Sequence, residues 1–407
     1  MSWAGPVQHE IGKNRRGGGL PASGGATRPM GDHHGPRPIL LCFSHLRWKF
    51  VYQRPQHLMS RFARDYRVMF LEDPIPTDAA EASMDMRIEE GGVEVLVPRL
   101  PHGLSGRKAN AAQRRLLDAH LPQGRELTLW YYTPMSLSYS DHLRPALTVY
   151  DCMDELSAFR GAPPELIERE RELLARADLV FTGGYSLYEA KQSRHQAVYP
   201  FPSSVDVPHF AQARAALPEP EDQARIPGPR LGFYGVIDER FDLDLVAEVA
   251  RARPDWQFVL IGPVVKIDPA TLPQRDNIHY LGGKCYDELP EYLAGWDVAV
   301  MPFALNESTR FISPTKTPEF LAAGRPVVST PIRDVVRTYG ESGVVRIARS
   351  ASDFVRAVEA ALADARDPDA LVAAADRALG GMSWDDTFAR MKAAMSERVD
   401  VEVRRRA

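Results

Sequence analysis

The residues best suited to chemistry lie at positions 308–330, where hydroxyl side chains surround one lysine and one glutamate. A helix beginning there, with Thr317 or Ser313 as its N-cap, would direct free backbone N–H groups at an anion. Lys316 would add a full positive charge, and Glu319 could accept hydrogen bonds from a vicinal diol. The pattern fits a nucleoside diphosphate site, and it also fits a plain helix start with two surface charges.

Buried strands must position these residues. The first half of the chain contains unbroken apolar runs that end in polar residues, as parallel strands covered on both faces do. Helix-period segments separate the runs, which favours right-handed crossovers and a doubly wound sheet. The predicted strands of this half are PILLCFSH, RVMFLED, LTLWYYT, LTVYDCMDE and DLVFTGGYS.

A second series of strands follows a proline-rich passage at residues 200–230, which is punctuated like an interdomain connection. The predicted strands of this series are RLGFYGV, QFVLIGPV, NIHYLGG, WDVAVMPF and RPVVST. The sequence therefore predicts an α/β protein of two doubly wound, Rossmann-like domains that face a central cleft, where ligands meet the carboxyl ends of strands. The predicted parts are a disordered tail at 1–36, domains at 37–205 and 206–382, and a terminal helix at 383–407.

Composition argues against several classes of protein. The 407 residues are 44% hydrophobic and 26% charged, which is enough for two ordinary cores. A net charge of -4 argues against a nucleic-acid binder. Cys42, Cys152 and Cys285 are odd in number and lack metal-ligand spacing, so we expect no disulfide framework, no metal and a reducing cytoplasm. No run reaches the roughly eighteen apolar residues of a membrane-spanning helix.

Several stretches resemble the glycosyltransferases of the two-domain B fold (GT-B), in particular the family 4-type retaining enzymes that use nucleotide sugars to assemble bacterial cell-surface polysaccharides. These stretches are DLVFTGGYSLYEAK with YPFPSSVDVPHF, IHYLGGKCYDELPEYLAGWDVAVMPF, and SPTKTPEFLAAGRPVVST. The stretch FSHLRWKFVYQRPQHL is similar to a subgroup fused to UDP-galactopyranose mutases. The resemblance implies an N-terminal acceptor domain, a C-terminal nucleotide-sugar domain and a terminal helix that returns to the first domain.

The resemblance also implies roles for single residues. Glu319 would bind the ribose hydroxyls, as the second glutamate of the family's Glu-x7-Glu motif. Phe311 occupies the position of the first glutamate, and Val236 occupies that of a phosphate-binding arginine, while Arg240 stands close to the position of a phosphate-binding lysine. The predicted donor-binding residues are Glu319, Lys316, Thr315, Ser313, Arg240, Arg310 and Gly235, with Lys284 and Tyr286 as the base contacts.

Acceptor-side candidates follow two strands of the N-terminal domain. His45 and Arg47 lie after the first strand, and Asp151 and Asp154 lie at the end of another, where a carboxylate could orient or deprotonate an acceptor hydroxyl. These four are the predicted catalytic residues, with helix capping and loop hydrogen bonding as open alternatives. No pair of carboxylates in the donor half suits a covalent intermediate. We therefore expect front-face attack assisted by the leaving phosphate.

The resemblance implies a cytoplasmic glycosyltransferase that moves a hexosyl group from a nucleoside diphosphate sugar, with a UDP-sugar as first choice, to a saccharide or lipid-linked acceptor. We expect no cofactor. The basic segment at 106–121 allows a peripheral contact with the inner face of the plasma membrane, or is a solvated helix face. Two alternatives stay open: a nucleotide-sugar 2-epimerase, and a non-catalytic nucleotide-binding subunit of a polysaccharide assembly complex.

Overall fold

Nine strands from the first half of the chain form one sheet in the computed structural model, which describes residues 37–406. The tail predicted at 1–36 lies outside the described residues. The strands are β1 (Ile39–Ser44), β2 (Arg67–Glu72), β3 (Ile75–Thr77), β4 (Ser83–Ile88), β5 (Glu94–Pro101), β6 (Leu127–Tyr131), β7 (Leu147–Cys152), β8 (Leu179–Thr182) and β9 (Val198–Pro200).

The order of this sheet is β3-β5-β2-β1-β6-β7-β8-β9, with β4 paired to β5 off that path. All neighbours are parallel except β4, which runs antiparallel to β5. Parallel neighbours need crossovers, and helices supply most of them. The helices of this half are α1 (Arg54–Phe62), α2 (Gly106–His120), α3 (Leu137–Ser140), α4 (Glu165–Arg176) and α5 (Tyr185–Lys191).

A second, fully parallel sheet follows two short linker helices, α6 (Val207–Phe210) and α7 (Glu221–Ala224). The strands are β10 (Arg230–Tyr234), β11 (Gln257–Ile261), β12 (Ile278–Gly282), β13 (Val298–Met301), β14 (Val327–Ser329) and β15 (Val345–Ile347). Their order in the sheet is β12-β11-β10-β13-β14-β15. The helices are α8 (Leu243–Ala252), α9 (Leu289–Ala294), α10 (Lys316–Ala322), α11 (Arg333–Tyr339), α12 (Ala351–Asp364), α13 (Pro368–Leu379) and α14 (Trp384–Arg406).

The predicted class of two parallel-sheet α/β domains is confirmed, and all ten predicted strands exist. Five strands were not predicted: β3, β4 and β5 at one edge of the first sheet, β9 at its other edge, and β15 at an edge of the second sheet. Apolar runs reveal strands that are buried on both faces, whereas most positions of β4 are exposed. None of the helices in the described part of the chain is long and apolar enough to cross a membrane.

Two apolar clusters cover the two faces of the first sheet, and a third forms the core around the second sheet. The last helix, α14, does not belong to the third cluster. Its Trp384, Met391 and Met395 are buried in a cluster of the N-terminal domain. Two surface ion pairs, Arg61 with Asp385 and Asp65 with Lys392, join the same surfaces. The helix therefore ties the end of the chain back to the first domain.

Polar contacts join the two domains beside the cleft. Asp334 of α11 accepts hydrogen bonds from the backbone N–H (3.0 Å) and the hydroxyl of Ser186 in α5. Arg333 and Arg337 both form ion pairs with Glu189, each at 2.6 Å. Because Asp334 and Ser186 are buried, this contact fixes α5 against α11 more firmly than exposed pairs would.

Candidate active site

Lys316 and Glu319 lie together at the carboxyl end of β10. That strand ends at Tyr234, whose hydroxyl donates a hydrogen bond to Oε2 of Glu319 at 2.6 Å. Gly235 follows with a φ of 146°, and a Cβ at this position would lie only 3.1 Å from Cε of Lys316. The absence of a side chain at Gly235 thus lets the lysine lie against the strand end.

Burial acts against the charge on both members of this pair. It raises the pKa of Glu319, and Lys316 opposes that shift. It lowers the pKa of Lys316, and Glu319 opposes that shift. Within residues 37–406, Oε1 of Glu319 accepts no hydrogen bond, and the Lys316 ammonium donates only to Oγ1 of Thr315, at 3.0 Å. The pair therefore has spare capacity for a ligand that brings both hydroxyls and negative charge.

Two further cations lie near this pair in the C-terminal domain. The Arg240 guanidinium is held by Asp238 at 2.7 Å and lies 5.2 Å from the ring centre of Phe159. Lys266 lies 5.0 Å from the centre of the same ring. Phe159 belongs to the N-terminal domain, so its ring brings both cations to the boundary between the domains. Arg240 also acts on Lys316, whose pKa it helps to lower.

Asp154 and His45 face this cationic region from the N-terminal domain. Burial raises the pKa of Asp154 to about 6, with Arg240 acting against the rise and Asp238 adding to it. Burial, with the nearby charge of Lys266 as a smaller cause, lowers the pKa of His45 to about 4. At neutral pH the cleft therefore presents an ionised carboxylate and a neutral imidazole opposite the basic residues.

The other two predicted catalytic residues have structural partners instead. Asp151 is completely buried in β7, where its carboxylate receives two parallel hydrogen bonds from Arg54 of α1 (2.8 and 3.0 Å). Arg47 forms an ion pair with Glu72 at 3.1 Å and donates to the backbone oxygens of residues 73 and 74. Asp151 thus holds β7 to α1, and Arg47 holds the end of β2 to the first loop, while the catalytic role assigned to both stays a prediction.

Lys284 and Arg310 are not brought to the Lys316 and Glu319 pair. Lys284 forms an ion pair with Asp222 at 2.5 Å, and Asp222 also accepts a hydrogen bond from Tyr292. Arg310 is exposed and pairs with Glu307 at 3.7 Å. The structure therefore gives both side chains partners away from this pair, and their predicted role in donor binding stays a prediction.

The start of α10 also differs from both predicted registers. The helix begins at Lys316, with Thr315 at the N-cap position and no side-chain cap, so neither Thr317 nor Ser313 caps it. Ser313 instead uses its backbone oxygen to accept a hydrogen bond from the Ser203 hydroxyl of the linker, at 2.5 Å. Since α10 spans only seven residues, cationic side chains rather than the helix dipole must supply most of any anion binding.

Tyr286 lies in a stack of rings that crosses the cleft. His209 covers one face of its ring at 4.2 Å between centroids, and Tyr52 of the N-terminal domain stacks on it at 4.4 Å. A base cannot stack on this ring without displacing one of them. The Tyr286 hydroxyl is buried without a hydrogen-bond partner in the described part of the chain, and the charge of Glu319 helps to raise its pKa. Tyr286 therefore points its hydroxyl, rather than its ring face, toward the site.

Sequence analysis missed three residues of this site, namely Tyr234, Phe159 and Lys266. Tyr234 directly precedes Gly235, so its place at a strand end could have been found from the predicted strand alone. Lys266 follows the strand β11 in the same way, five residues after its end. Phe159 lies in an irregular loop, and no spacing rule predicts that its ring reaches the other domain.

The comparisons with known proteins agree with this architecture. Residues 228–364 match the family described as "Glycosyl transferases group 1". Over 234 residues the chain is 27% identical to the "Putative teichuronic acid biosynthesis glycosyltransferase TuaH" of Bacillus subtilis (strain 168), covering 53% of this chain and 59% of that protein. The chain thus spans less than two thirds of the length of that curated relative.

Solved structures resemble nearly the whole chain. Sucrose-phosphate synthase from Thermosynechococcus elongatus has a TM-score of 0.69 at 15% identity, over 89% of this chain and 99% of that one. HepE of Anabaena, in complex with UDP and glucose, has a TM-score of 0.62 at 13% identity, over 88% and 100%. Such low identities establish the fold alone. Residues 228–364 therefore match the glycosyltransferase group 1 family, and the chain has the two-domain GT-B fold that these solved structures share.

Proposed function

We propose that the protein transfers a hexosyl group from a nucleoside diphosphate sugar, most simply a UDP-sugar, to a saccharide or lipid-linked acceptor in cell-surface polysaccharide biosynthesis. The observation that carries this proposal is the convergence of Lys316, Glu319 and Arg240 around Gly235 at the end of β10. The name of the Bacillus relative supports the pathway class, and the ligands of the Anabaena structure support the donor class.

In this proposal the C-terminal domain holds the donor. Lys316, Arg240 and Lys266 neutralise the diphosphate, and the open Oε1 of Glu319 accepts hydrogen bonds from the ribose hydroxyls. Three basic side chains can stabilise the leaving diphosphate, so the proposal needs neither metal nor cofactor. Tyr234 fixes the Glu319 carboxylate through its hydrogen bond at 2.6 Å, which reduces the ordering cost on binding.

The N-terminal domain would position the acceptor. Asp154 accepts a hydrogen bond from the acceptor hydroxyl and directs its oxygen at the anomeric carbon. The bond from that carbon to the diphosphate breaks as the new glycosidic bond forms on the same face, and the acceptor proton passes to the departing phosphate oxygen. We therefore propose retention of configuration. His45, neutral at pH 7, can donate or accept a hydrogen bond beside this group without adding charge.

We place the reaction in the cytoplasm, where nucleotide sugars are made, with α2 as the candidate contact to a membrane-borne acceptor. Arg107, Lys108 and Arg115 of α2 are exposed, whereas Leu117 is buried against the sheet. An exposed basic face can approach anionic headgroups electrostatically. Protein binding to vesicles with and without anionic lipid would test this element, with the triple alanine variant of these three residues as the control.

Calorimetric titration with UDP, GDP and ADP tests the donor site directly. We expect micromolar binding of one nucleotide, weakened tenfold to hundredfold in Glu319→Ala and in Lys316→Ala, since each variant loses about 1.5–3 kcal/mol of charged hydrogen bonding. The matched control is Lys284→Ala, which removes a cation already paired with Asp222 and should leave the affinity unchanged. Equal binding by all four proteins would contradict the site.

One observation favours a second function, a nucleotide-binding subunit without transferase activity. Phe311 packs against an apolar cluster of the N-terminal domain, so its position serves interdomain packing rather than substrate binding in this chain. Tight nucleotide binding without turnover of any nucleotide sugar, across a panel of saccharide acceptors, would support this alternative. Release of the nucleotide with transfer of the sugar would exclude it.

A further inference from the structure

The strand β4 forms an open edge of the N-terminal sheet. It pairs with β5 in antiparallel register from Ser83↔Arg99 to Ile88↔Glu94, and no other strand within residues 37–406 pairs with it. The edge is also apolar, because the side chains of Met86 and Ile88 are 57% and 75% exposed. A six-residue edge with exposed apolar side chains, left uncovered by the elements that the structure describes, is a template for another strand.

The backbone pairing shows which groups of β4 face outward. Residues 89 and 93 continue the register of the β4–β5 pair, and the Glu89 N–H donates to the Val93 oxygen at 2.9 Å. Residues with inward hydrogen bonds alternate along an antiparallel strand, so the odd-numbered residues bond to β5. Met84, Met86 and Ile88 therefore direct their N–H and C=O groups away from the sheet.

Charged residues alternate with these apolar ones. Asp85 and Arg87 lie on the opposite face of β4 from Met86. The Asp85 carboxylate is half-exposed, with Arg99 at 2.7 Å as its ion-pair partner. Arg87 uses Nε and Nη2 to bind Glu89 and Glu72, and its Nη1 makes no hydrogen bond within the described part of the chain. Both residues can thus accept one more partner of opposite charge.

We propose that β4 binds the β4 strand of a second copy of this chain, antiparallel, across a two-fold axis at Met86. This register sets Asp85 opposite Arg87 of the partner copy and Met84 opposite Ile88 of the partner copy. All outward N–H and C=O groups of the three apolar residues then pair, giving about six backbone hydrogen bonds. Opposing side chains share a face, so the charge pairs lie on one face and the apolar pairs on the other.

The neighbouring symmetric registers are disfavoured by charge. An axis at Asp85 would set the two aspartates against each other, and an axis at Arg87 would set the two arginines against each other, with Asp85 facing Glu89 of the other copy. Like charges directly opposite are destabilising in a strand pair. The axes at Met86 and Ile88 both combine outward hydrogen bonding with opposite charges, since an axis at Ile88 sets Arg87 opposite Glu89. Only the Met86 axis pairs the three apolar residues with one another, because the Ile88 axis sets Met86 opposite Glu90. The edge is therefore self-complementary about Met86, as a two-fold interface requires.

The resulting dimer joins two nine-stranded sheets into one. Its contact area is small, because one strand and its flanking side chains contribute it, so we expect a weak dimer with a dissociation constant on the order of micromolar. Sedimentation velocity across that concentration range should show a monomer–dimer equilibrium. A chain that stays monomeric at all concentrations would overturn the proposal.

Cysteine crosslinking tests the register. In a Cys285→Ser background, which removes the exposed native thiol, Met86→Cys places two thiols across the axis, whereas Ile88→Cys places them far apart. Both positions are exposed on the same face of the same strand, so they are matched in reactivity. We expect mild oxidation to give a covalent dimer of Met86→Cys and little of Ile88→Cys. Equal crosslinking of the two variants would refute the register.

Charge exchange provides the second test. Asp85→Lys and Arg87→Glu should each stay monomeric, since each sets like charges opposite each other twice. An equimolar mixture of the two variants should dimerise, because both opposed pairs are then complementary. Asp85→Lys should change thermal stability little, because Asp85 is half-exposed. Arg87→Glu removes one of the two cations beside the buried Glu72, so we expect a lower melting temperature and compare association only where that variant is folded. A dimer that persists in either single variant, or a mixture that stays monomeric, would overturn the proposal.

Discussion

Replacing Asp154 with asparagine is expected to reduce kcat/KM by about 10²–10⁴-fold, because the acceptor hydroxyl loses the carboxylate that directs it. The substitution keeps the size of the side chain and removes only its charge. The wild-type profile of kcat/KM should fall as the pH drops through about 6, where Asp154 becomes protonated. Asp154→Asn should lack this limb. The measurement is the rate of nucleotide release in the presence of acceptor, as a function of pH.

Stability distinguishes this role from a structural one. The folded state raises the pKa of Asp154 from its ordinary value of 3.8 to about 6, so the ionised form costs folding free energy at pH values above the folded pKa. Asp154→Asn should therefore keep or slightly raise the melting temperature at pH 7. The control is Asp255→Asn, which changes an exposed carboxylate paired with Arg253 and should leave the pH profile intact. A stable, fully active Asp154→Asn protein would contradict the assignment.

Asp151→Asn is expected to lower the free energy of unfolding by about 3–5 kcal/mol, the usual cost of breaking a buried ion pair. The variant leaves the buried Arg54 guanidinium without its counter-charge and with one neutral amide oxygen in place of two carboxylate oxygens, while the Phe201 oxygen, at 2.7 Å, still accepts from its Nη1. Denaturant unfolding followed by tryptophan fluorescence would measure the loss, since Trp130 lies buried in β6, directly beside the strand β7 that contains Asp151. Activity should fall only in proportion to the unfolded fraction.

Two further variants complete this test. Arg54→Met combined with Asp151→Leu replaces both charges by apolar side chains, and it should recover part of the lost stability because no charge is left buried alone. Asp118→Asn removes a half-exposed carboxylate from its pair with His142 and should cost less than about 1 kcal/mol. If Asp151→Asn were stable but inactive, Asp151 would belong to the catalytic machinery after all.

The fold could be predicted from the sequence wherever strands are buried on both faces. Such strands appear as short apolar runs, and the end of a run locates residues that face the cleft, as Gly235 after β10 illustrates. The strand β4 escaped detection because most of its positions are exposed and its apolar residues alternate with charged ones, whereas the buried run of β5 could have been found. The same exposure that hid β4 from prediction makes it a candidate contact surface.

Local patterns also could not assign charges to partners. Asp151 and Asp154 are three residues apart, yet one meets Arg54 in the domain interior and the other faces Arg240 across the cleft. Lys284 looked available in the sequence and is paired with Asp222, which lies far from it along the chain. A charge is satisfied by whatever lies within a few ångströms, and that distance depends on how separate segments pack.

The sequence by itself determined that the chain has two α/β domains, that Gly235 follows a strand, and that Lys316 and Glu319 lie near the start of a helix. Apolar periodicity and glycine positions are local properties, so they are readable without a structure. Only the tertiary structure decided which carboxylates are free to act, that Phe159 brings Arg240 and Lys266 together, and that β4 is an open edge. These features depend on contacts between segments far apart in the chain, and packing alone fixes them.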